Sequence, residues 1–158
     1  MPDANTEKTK LPPRVVIRLA WITHRAIYRL SGSRLGLWRP KPGGWGAMRL
    51  TTIGRRTGLA RPVIVGYLED GPNLVTTAMN GWADAEPAWW LNLQAHPDVT
   101  VDLVDGHRQV TARAATGEER ERLWGRWRQS FRNLDAYAAL RSRETAVVVL
   151  EPQQTSDS

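Results

Sequence analysis

The stretch Thr51-Thr52-Ile53-Gly54-Arg55-Arg56-Thr57-Gly58-Leu59-Ala60-Arg61-Pro62 gathers groups able to grip an anion. Gly54 and Gly58 let the backbone turn tightly and approach a ligand. Arg55 and Arg56 offer forked donors, Thr57 adds a hydroxyl, and Arg61 returns toward the same place beyond the turn. Phosphate calls for donors of this kind. Two readings of the loop stand side by side: an anion cradle, or a solvated hairpin whose arginines keep a sheet edge soluble. A second stretch runs from Thr76-Thr77-Ala78-Met79-Asn80-Gly81-Trp82 to Pro87-Ala88-Trp89-Trp90-Leu91-Asn92-Leu93, from a strand through small residues into a helix. Glu86 is suited to cap that helix and Pro87 to occupy its first position. Ala88, Trp89 and Asn92 then share one face, fit to floor a flat aromatic ligand. Trp90 reads as an ordinary core aromatic, and Trp89 suits either role.

Several other chemistries lack their residues. There is no cysteine, so disulfides, thiolate metal sites and cysteine nucleophiles are excluded. His24, His96 and His107 stand far apart without ligand spacing, so no metal is expected. Neither a Ser/His/Asp arrangement nor a convincing pair of carboxylates is present, and neither a dinucleotide-binding G-x-G-x-x-G nor a P-loop occurs. No apolar run approaches the roughly 20 residues that span a bilayer, and the N-terminus lacks a signal-peptide pattern, so a cytoplasmic protein is expected.

The formal charge of +6 is unevenly spread. Residues 1–61 carry 13 of the 22 Lys and Arg, with Asp3 and Glu7 as the only acids, a local net of +11 against −5 for the rest. Such polarity points to an anionic partner near the basic half: nucleic acid, acidic lipid or a phosphorylated cofactor. The absence of zinc-finger, basic-zipper or RNA-recognition signatures argues against nucleic acid.

The elements that must position these groups follow from periodicity. Residues 1–12 read as a disordered tail. From Pro13 to about Leu30 the period is helical: Val15, Leu19, Ile22, Ala26 and Leu30 share an arc bordered by Arg14, Arg18, Arg25 and Arg29, a basic amphipathic helix. A Gly- and Pro-rich connector completes this appendage to residue 46. The span 47–152 is one barrel domain, and 153–158 a tail. Strands are expected over Met48–Ile53, Pro62–Leu68 and Asn73–Met79, with Asp70-Gly71-Pro72 as a turn. A helix from Pro87 to about Ala95 ends at His96-Pro97. Two further strands, about Val99–Leu103 and Val110–Ala114, flank Asp105-Gly106. Thr116-Gly117-Glu118-Glu119 has the form of a capping box for a helix to about Gln129. A shorter helix, Phe131–Ser142, and a β-branched strand, Thr145–Leu150, close the chain. Successive strands with few crossovers give a mainly β fold with helices (α+β), an antiparallel sheet curled into a barrel.

The order of these motifs resembles the deazaflavin-dependent nitroreductase and quinone reductase family. The likeness rests on Gly54-Arg55-Arg56-Thr57-Gly58 with Arg61, the small-residue loop before Pro87-Ala88-Trp89-Trp90-Leu91-Asn92-Leu93, then His96-Pro97 and the strands ending in Thr111-Ala112-Arg113, and it covers about residues 45–152. The resemblance implies a split β-barrel of the FMN-binding type and the deazaflavin coenzyme F420, whose phosphate and glutamate tail is strongly anionic. It implies that Arg55, Arg56, Thr57, Gly58 and Arg61 hold the tail, that Pro62, Val63, Thr77, Ala78 and Met79 line the ring, and that Asn80, Gly81, Pro87, Ala88, Trp89 and Asn92 complete the pocket.

The implied activity is hydride transfer from reduced F420 to a quinone, enone or nitroaromatic. The implied acceptor side is Phe131, Leu134 and Tyr137, with Tyr137 as proton donor. This chain departs from the family at two points. Phe131 and Leu134 stand where relatives carry tyrosines, and Met79-Asn80 stands where they carry Ser-Lys, which favours a more apolar acceptor. Two alternatives share the fold: a non-catalytic carrier of a cofactor, fatty acid or haem, and a flavin mononucleotide enzyme. The basic helix has two readings as well, a peripheral contact with the inner face of the membrane or packing on the barrel or a second chain.

Overall fold

The run Val147-Val148-Val149-Leu150 offers no polar residue to turn toward water, so it is stable as a strand only with both faces covered. In the computed structural model, which describes residues 36–81 and 83–154, it opens strand β6 (Val147–Pro152). Val148 and Leu150 point into a barrel, while Val147 and Val149 point outward beneath helices. The other strands are β1 (Gly46–Ile53), β2 (Ala60–Asp70), β3 (Asn73–Thr77), β4 (Asp98–Leu103) and β5 (Gly106–Ala114). All neighbours are antiparallel, and the order β1-β2-β3-β6-β5-β4 closes through a β1–β4 ladder, so this barrel has no free terminal strand.

Three helices cover what the strands leave open. Helix α1 (Ala88–Ala95) sends Trp89, Trp90 and Leu93 into the interior cluster with Met48, Leu50 and Val101. Helix α2 (Gly117–Ser130) and the single turn α3 (Leu134–Ala138) bury Leu123, Trp127 and Leu134 on the outward face of β3 and β6. A third, small cluster of Leu37, Ala47 and Ile64 lies outside the barrel. At the β2–β3 hairpin, Asp70 faces Asn73 across Gly71-Pro72. Gly71 takes φ +58°, which a side chain rarely tolerates, and proline fixes the next φ, so the two residues make the tight reversal that the sequence anticipates.

One irregularity of this barrel matters for function. The β2–β3 ladder covers only Leu68–Asp70 against Val75–Asn73. Beyond it, β2 continues against β1 as far as Ala60, and β3 continues against β6 as far as Thr77. The two strands therefore part, and the residues before Leu68 and after Val75 form facing lips.

Some local expectations are corrected. Thr116 is the N-cap of α2 but makes no side-chain cap bond, and the Glu119 carboxylate is taken instead by Arg113, which also pairs with Glu151. Glu86 does not cap α1, whose N-cap is Pro87, because its carboxylate is claimed by Arg141. The expected helix Phe131–Ser142 shrinks to α3, since the Phe131 amide instead closes α2 on the Trp127 carbonyl. The third strand stops at Thr77 rather than Met79, the last is shifted to Val147–Pro152, and the connector is not wholly irregular, because Trp38 bridges Ala47. The expected tail 1–12 and helix 13–30 lie outside the described residues, as does Trp82.

Asp70 joins the β2–β3 hairpin to α2 through Arg122 at 2.8 Å and Arg126 at 3.4 Å. The Arg122 hydrogen bond is the main cause holding the Asp70 carboxyl below its ordinary 3.8. A carboxyl lowered on folding contributes stability above that ordinary value, and the contribution is lost as pH falls through the folded value. Asp70→Asn is expected to lower the thermal midpoint by a few degrees at about pH 7, corresponding to about 0.5–1 kcal/mol for a partly exposed pair. The gap to the wild type should narrow as pH falls below 3.8 and through the lowered folded value, and a gap that does not narrow on acidification in differential scanning calorimetry would show that the contribution is not ionic.

Candidate functional site

Residues 54–59, between β1 and β2, fold into a tight loop with its own bonds. The Gly54 amide donates to Leu59 O at 2.8 Å and the Gly58 amide to Gly54 O at 2.8 Å, while Thr57 Oγ1 accepts the Leu59 amide at 3.3 Å. Gly58 adopts φ +70°, and a Cβ on Gly54 would meet Thr57 Oγ1 at 2.8 Å, so both glycines are required by shape.

The loop is fastened to α1 through Asn92. Its Oδ1 accepts the Arg55 amide at 3.2 Å and Arg55 Nη1 at 3.1 Å, and its Nδ2 donates to Thr52 Oγ1 at 3.1 Å. Thr52 in turn donates to Arg61 O at 3.2 Å. Asn92 is only 4% exposed and Thr52 fully buried, so this chain of bonds is shielded from competing water. Arg55, Arg56 and Arg61 project outward from the loop and its exit strand, and among the described residues none of them meets a carboxylate. Most other described arginines are paired, Arg113 with Glu119 and Glu151, Arg122 and Arg126 with Asp70, Arg128 with Asp135, while Arg108, Arg132 and Arg143, scattered over the surface, are not.

Directly after the loop, Pro62 and Val63 begin one lip of the parting, and Thr77, Ala78 and Met79 end the other. Thr77 is 1% exposed, and its hydroxyl has no hydrogen-bond partner, a costly state for a buried polar atom. Ala78 faces the barrel interior. Met79 packs against the outer cluster, as do Phe131 and Tyr137, whose rings stack at 5.4 Å between centroids. Leu134 belongs to the same cluster but is 1% exposed and offers no open surface.

Beyond Met79 the chain passes through an exposed Asn80, whose carbonyl accepts the Ala83 amide at 3.0 Å, and Gly81 at φ +56°. Ser142 donates from both its hydroxyl and its amide to Asp84, which holds that carboxyl below the usual range. The Arg141 guanidinium binds the same loop. At the entry to α1, Pro87 is buried, Ala88 exposed, and Trp89 packed in the interior, so the residues expected to share one face do not share one environment.

The structure thus brings the arginine loop and Asn92 together, and separately Met79, Phe131 and Tyr137. Sequence reasoning missed Thr52, Asp84 and Arg141. The parity of β1 carried a signal for Thr52, because Met48, Leu50 and Thr52 alternate onto the inward face, where a polar residue needs a partner. An open hollow at the start of α2, lined by Thr116, Gly117, Arg120 and Glu144, includes none of these residues. Among the described residues, no group of His, Asp or Glu is placed to hold a metal.

Comparison with known proteins agrees on one group. Residues 21–152 match the family described as F420H(2)-dependent quinone reductase. The chain is 32% identical over 130 residues to an F420H(2)-dependent quinone reductase of Mycobacterium tuberculosis, covering 80% of this chain and 86% of that one. Among solved structures, an F420-H2 dependent reductase (FDR-A) superposes with a TM-score of 0.61 at 28% identity, over 66% of this chain and 93% of its own. A chain described as a domain-swapped dimer gives 0.63 at 26% identity, over 85% and 99%.

Asn92→Ala is expected to lower stability by about 1–3 kcal/mol, because Thr52 and the Arg55 amide lose a shielded partner. It should also accelerate hydrogen exchange at the Arg55 amide, followed by NMR. Unaltered exchange would mean that the bonds between Gly54 and Leu59 hold the loop unaided.

Proposed function

Because the chain belongs to the F420H(2)-dependent quinone reductase family, we propose that the β1–β2 loop holds the anionic tail of F420 and that the lips of β2 and β3 hold its ring. The chain is an F420H2-dependent oxidoreductase that reduces quinones. The observation that carries the assignment of residues is the clustering of Arg55, Arg56 and Arg61 on one loop and its exit strand, where among the described residues none of them meets a carboxylate, whereas most of the other described arginines do. An anion with several charged oxygens matches forked donors of this kind. The unpartnered Thr77 hydroxyl supports the ring position, since a ring with a polar edge would satisfy it.

When bound, the reduced deazaflavin supplies the hydride, and the protein supplies position and surroundings. Asn92 and Thr52 hold the loop so that Arg55 and Arg56 are already in place when the tail arrives, which limits the ordering that binding costs. In this reading Pro62 and Val63 on the β2 lip and Thr77, Ala78 and Met79 on the β3 lip line the ring, and Asn80, Gly81, Pro87, Ala88 and Trp89 complete the pocket from the loop and α1. Phe131 and Tyr137 supply an apolar acceptor side, backed by the buried Leu134 rather than opened by it as the sequence suggests, to which enones and nitroaromatics are suited as well as quinones. Tyr137 is the one group there with an acidic proton to give to the reduced product, and Tyr137→Phe is expected to slow turnover about a hundredfold with coenzyme affinity unchanged.

No helix among the described residues is long and apolar enough to cross a membrane. Peripheral contact through residues 13–30 is supported by their apolar arc and arginine border alone, and sedimentation with anionic vesicles tests it.

Arg56→Ala is expected to weaken F420 binding more than about tenfold, a loss of at least about 1.4 kcal/mol, while the thermal midpoint stays within a degree or so, because the side chain is exposed and unpaired. Fluorescence quenching of the deazaflavin measures the affinity. Equal affinity in the variant would remove Arg56 from the tail site, and coenzyme binding without oxidation by any quinone would be the behaviour of a carrier.

A further inference from the structure

Arg141 follows the short helix that bears Tyr137, and its side chain is fully shielded from solvent. Every N–H of its guanidinium is used. Nε donates to Ala83 O at 3.0 Å, Nη1 to Ala78 O at 3.2 Å and to Thr145 Oγ1 at 2.8 Å, and Nη2 to Asp84 O at 3.4 Å and to Glu86 Oε1 at 2.7 Å. Nearly all of these acceptors belong to residues 78–86, the segment joining the β3 lip to α1. Beside it, Ser142 latches Asp84 from outside. The backbone ties Arg141 just as closely to the other wall, since its amide donates to Ala138 O at 3.1 Å and that of Leu140 to Tyr137 O at 3.1 Å.

A buried guanidinium that serves only stability needs one carboxylate and a few carbonyls from wherever the chain supplies them. Here the acceptors are concentrated on one irregular segment that has no ladder of its own, and the donor is anchored to the helix carrying Phe131's stacking partner. We propose that Arg141 is a positioning residue that sets the width of the acceptor opening, by fixing residues 78–86 relative to α3. The inference rests on the proposed reading that Met79 lines the ring and Tyr137 the acceptor side next to it. Arginine suits the task because its planar fork fixes several carbonyls in one plane, whereas a lysine ammonium is a point charge that satisfies a subset.

The test compares wild type with Arg141→Lys, which keeps the charge beside Glu86, and with Ser142→Ala, which removes only hydroxyl bonds of the outer latch and folds even where the first variant does not. Three quantities are read: the ratio of kcat/KM for a compact naphthoquinone to that for a long-tailed one, F420 affinity by fluorescence quenching, and hydrogen exchange of amides 78–86 without coenzyme. A merely structural loss lowers the active fraction and leaves the ratio alone. The expected result for Arg141→Lys is a ratio altered at least about fivefold, F420 affinity within about twofold of wild type, and faster exchange across 78–86, with Ser142→Ala shifting ratio and exchange the same way by less. An unchanged ratio in Arg141→Lys overturns the proposal, whatever the thermal midpoint does. If Arg141→Lys does not fold, an unchanged ratio in Ser142→Ala overturns it. A wild-type chain that binds F420 but oxidises it with neither quinone overturns the reading of function, and the exchange data then still decide whether Arg141 holds the loop.

Discussion

The early end of the β2–β3 ladder is the constraint on which the site depends. A barrel closed by hydrogen bonds along its whole height would present only turns and side-chain tips to a flat ligand. Here the strands bond each other for the three residues nearest their hairpin and then part, each retained by its other neighbour, so that opening the lips costs little in lost ladder bonds. The outer cluster beneath α2 and α3 compensates, because Val75, Val147 and Val149 stay buried on the face where the parting occurs. Trp127 lies over Gly66 at the parting, and Trp45 lies at 3.0 Å from where a Cβ would stand, so glycine is what lets two indoles approach this part of β2.

Much of this was legible in the text of the chain. Strand alternation gave the barrel, Asp70-Gly71-Pro72 gave its reversal, and Gly54 to Gly58 gave the loop, because each depends on neighbours a few residues away. The double-sided burial of Val147–Leu150 was legible too, as a run with no polar member. What failed was the assignment of partners to charged side chains. Glu86 and Glu119 occupy positions from which a helix N-terminus is within reach, and local chemistry favours a cap at both. Each instead found an arginine, one of them 55 residues away, and a charge-assisted bond to a guanidinium outweighs a neutral amide. Arg141 was invisible for the same reason: nothing in Leu140-Arg141-Ser142-Arg143 tells which arginine will be enclosed, and only the fold decides.

Charge is arranged with a consistent logic. The acidic balance of the later half is spent on cross-links between elements: Asp70 joins the hairpin to α2, Glu151 and Glu119 join β6 and α2 to β5, and Asp135 ties α3 to α2. Among the described residues, the basic loop receives none of it. Three guanidinium groups on one short segment without a carboxylate among the described residues repel each other in the free protein, and an anion bound there would remove that repulsion. Had the loop arginines merely served solubility beside the parted edge of β2, one acidic neighbour would have been harmless.

Helix α1 ties together the two segments to which the proposed site assigns the ring and the tail. Its entry is pinned through Glu86 to Arg141, its middle through Asn92 to the arginine loop, and its Trp89, Trp90 and Leu93 are fixed in the barrel interior. A displacement of the tail loop relative to the β3 lip therefore requires breaking shielded hydrogen bonds or disturbing the core, and neither is a soft motion. Hydride transfer depends closely on the approach of donor to acceptor, so in the proposed site rigidity between these two segments is what the protein would contribute to catalysis. In the proposed site, Arg141 links the helix that bears Tyr137 to Glu86 at the entry to α1, which makes that contact a place where the site could change its acceptors without losing its grip on the coenzyme.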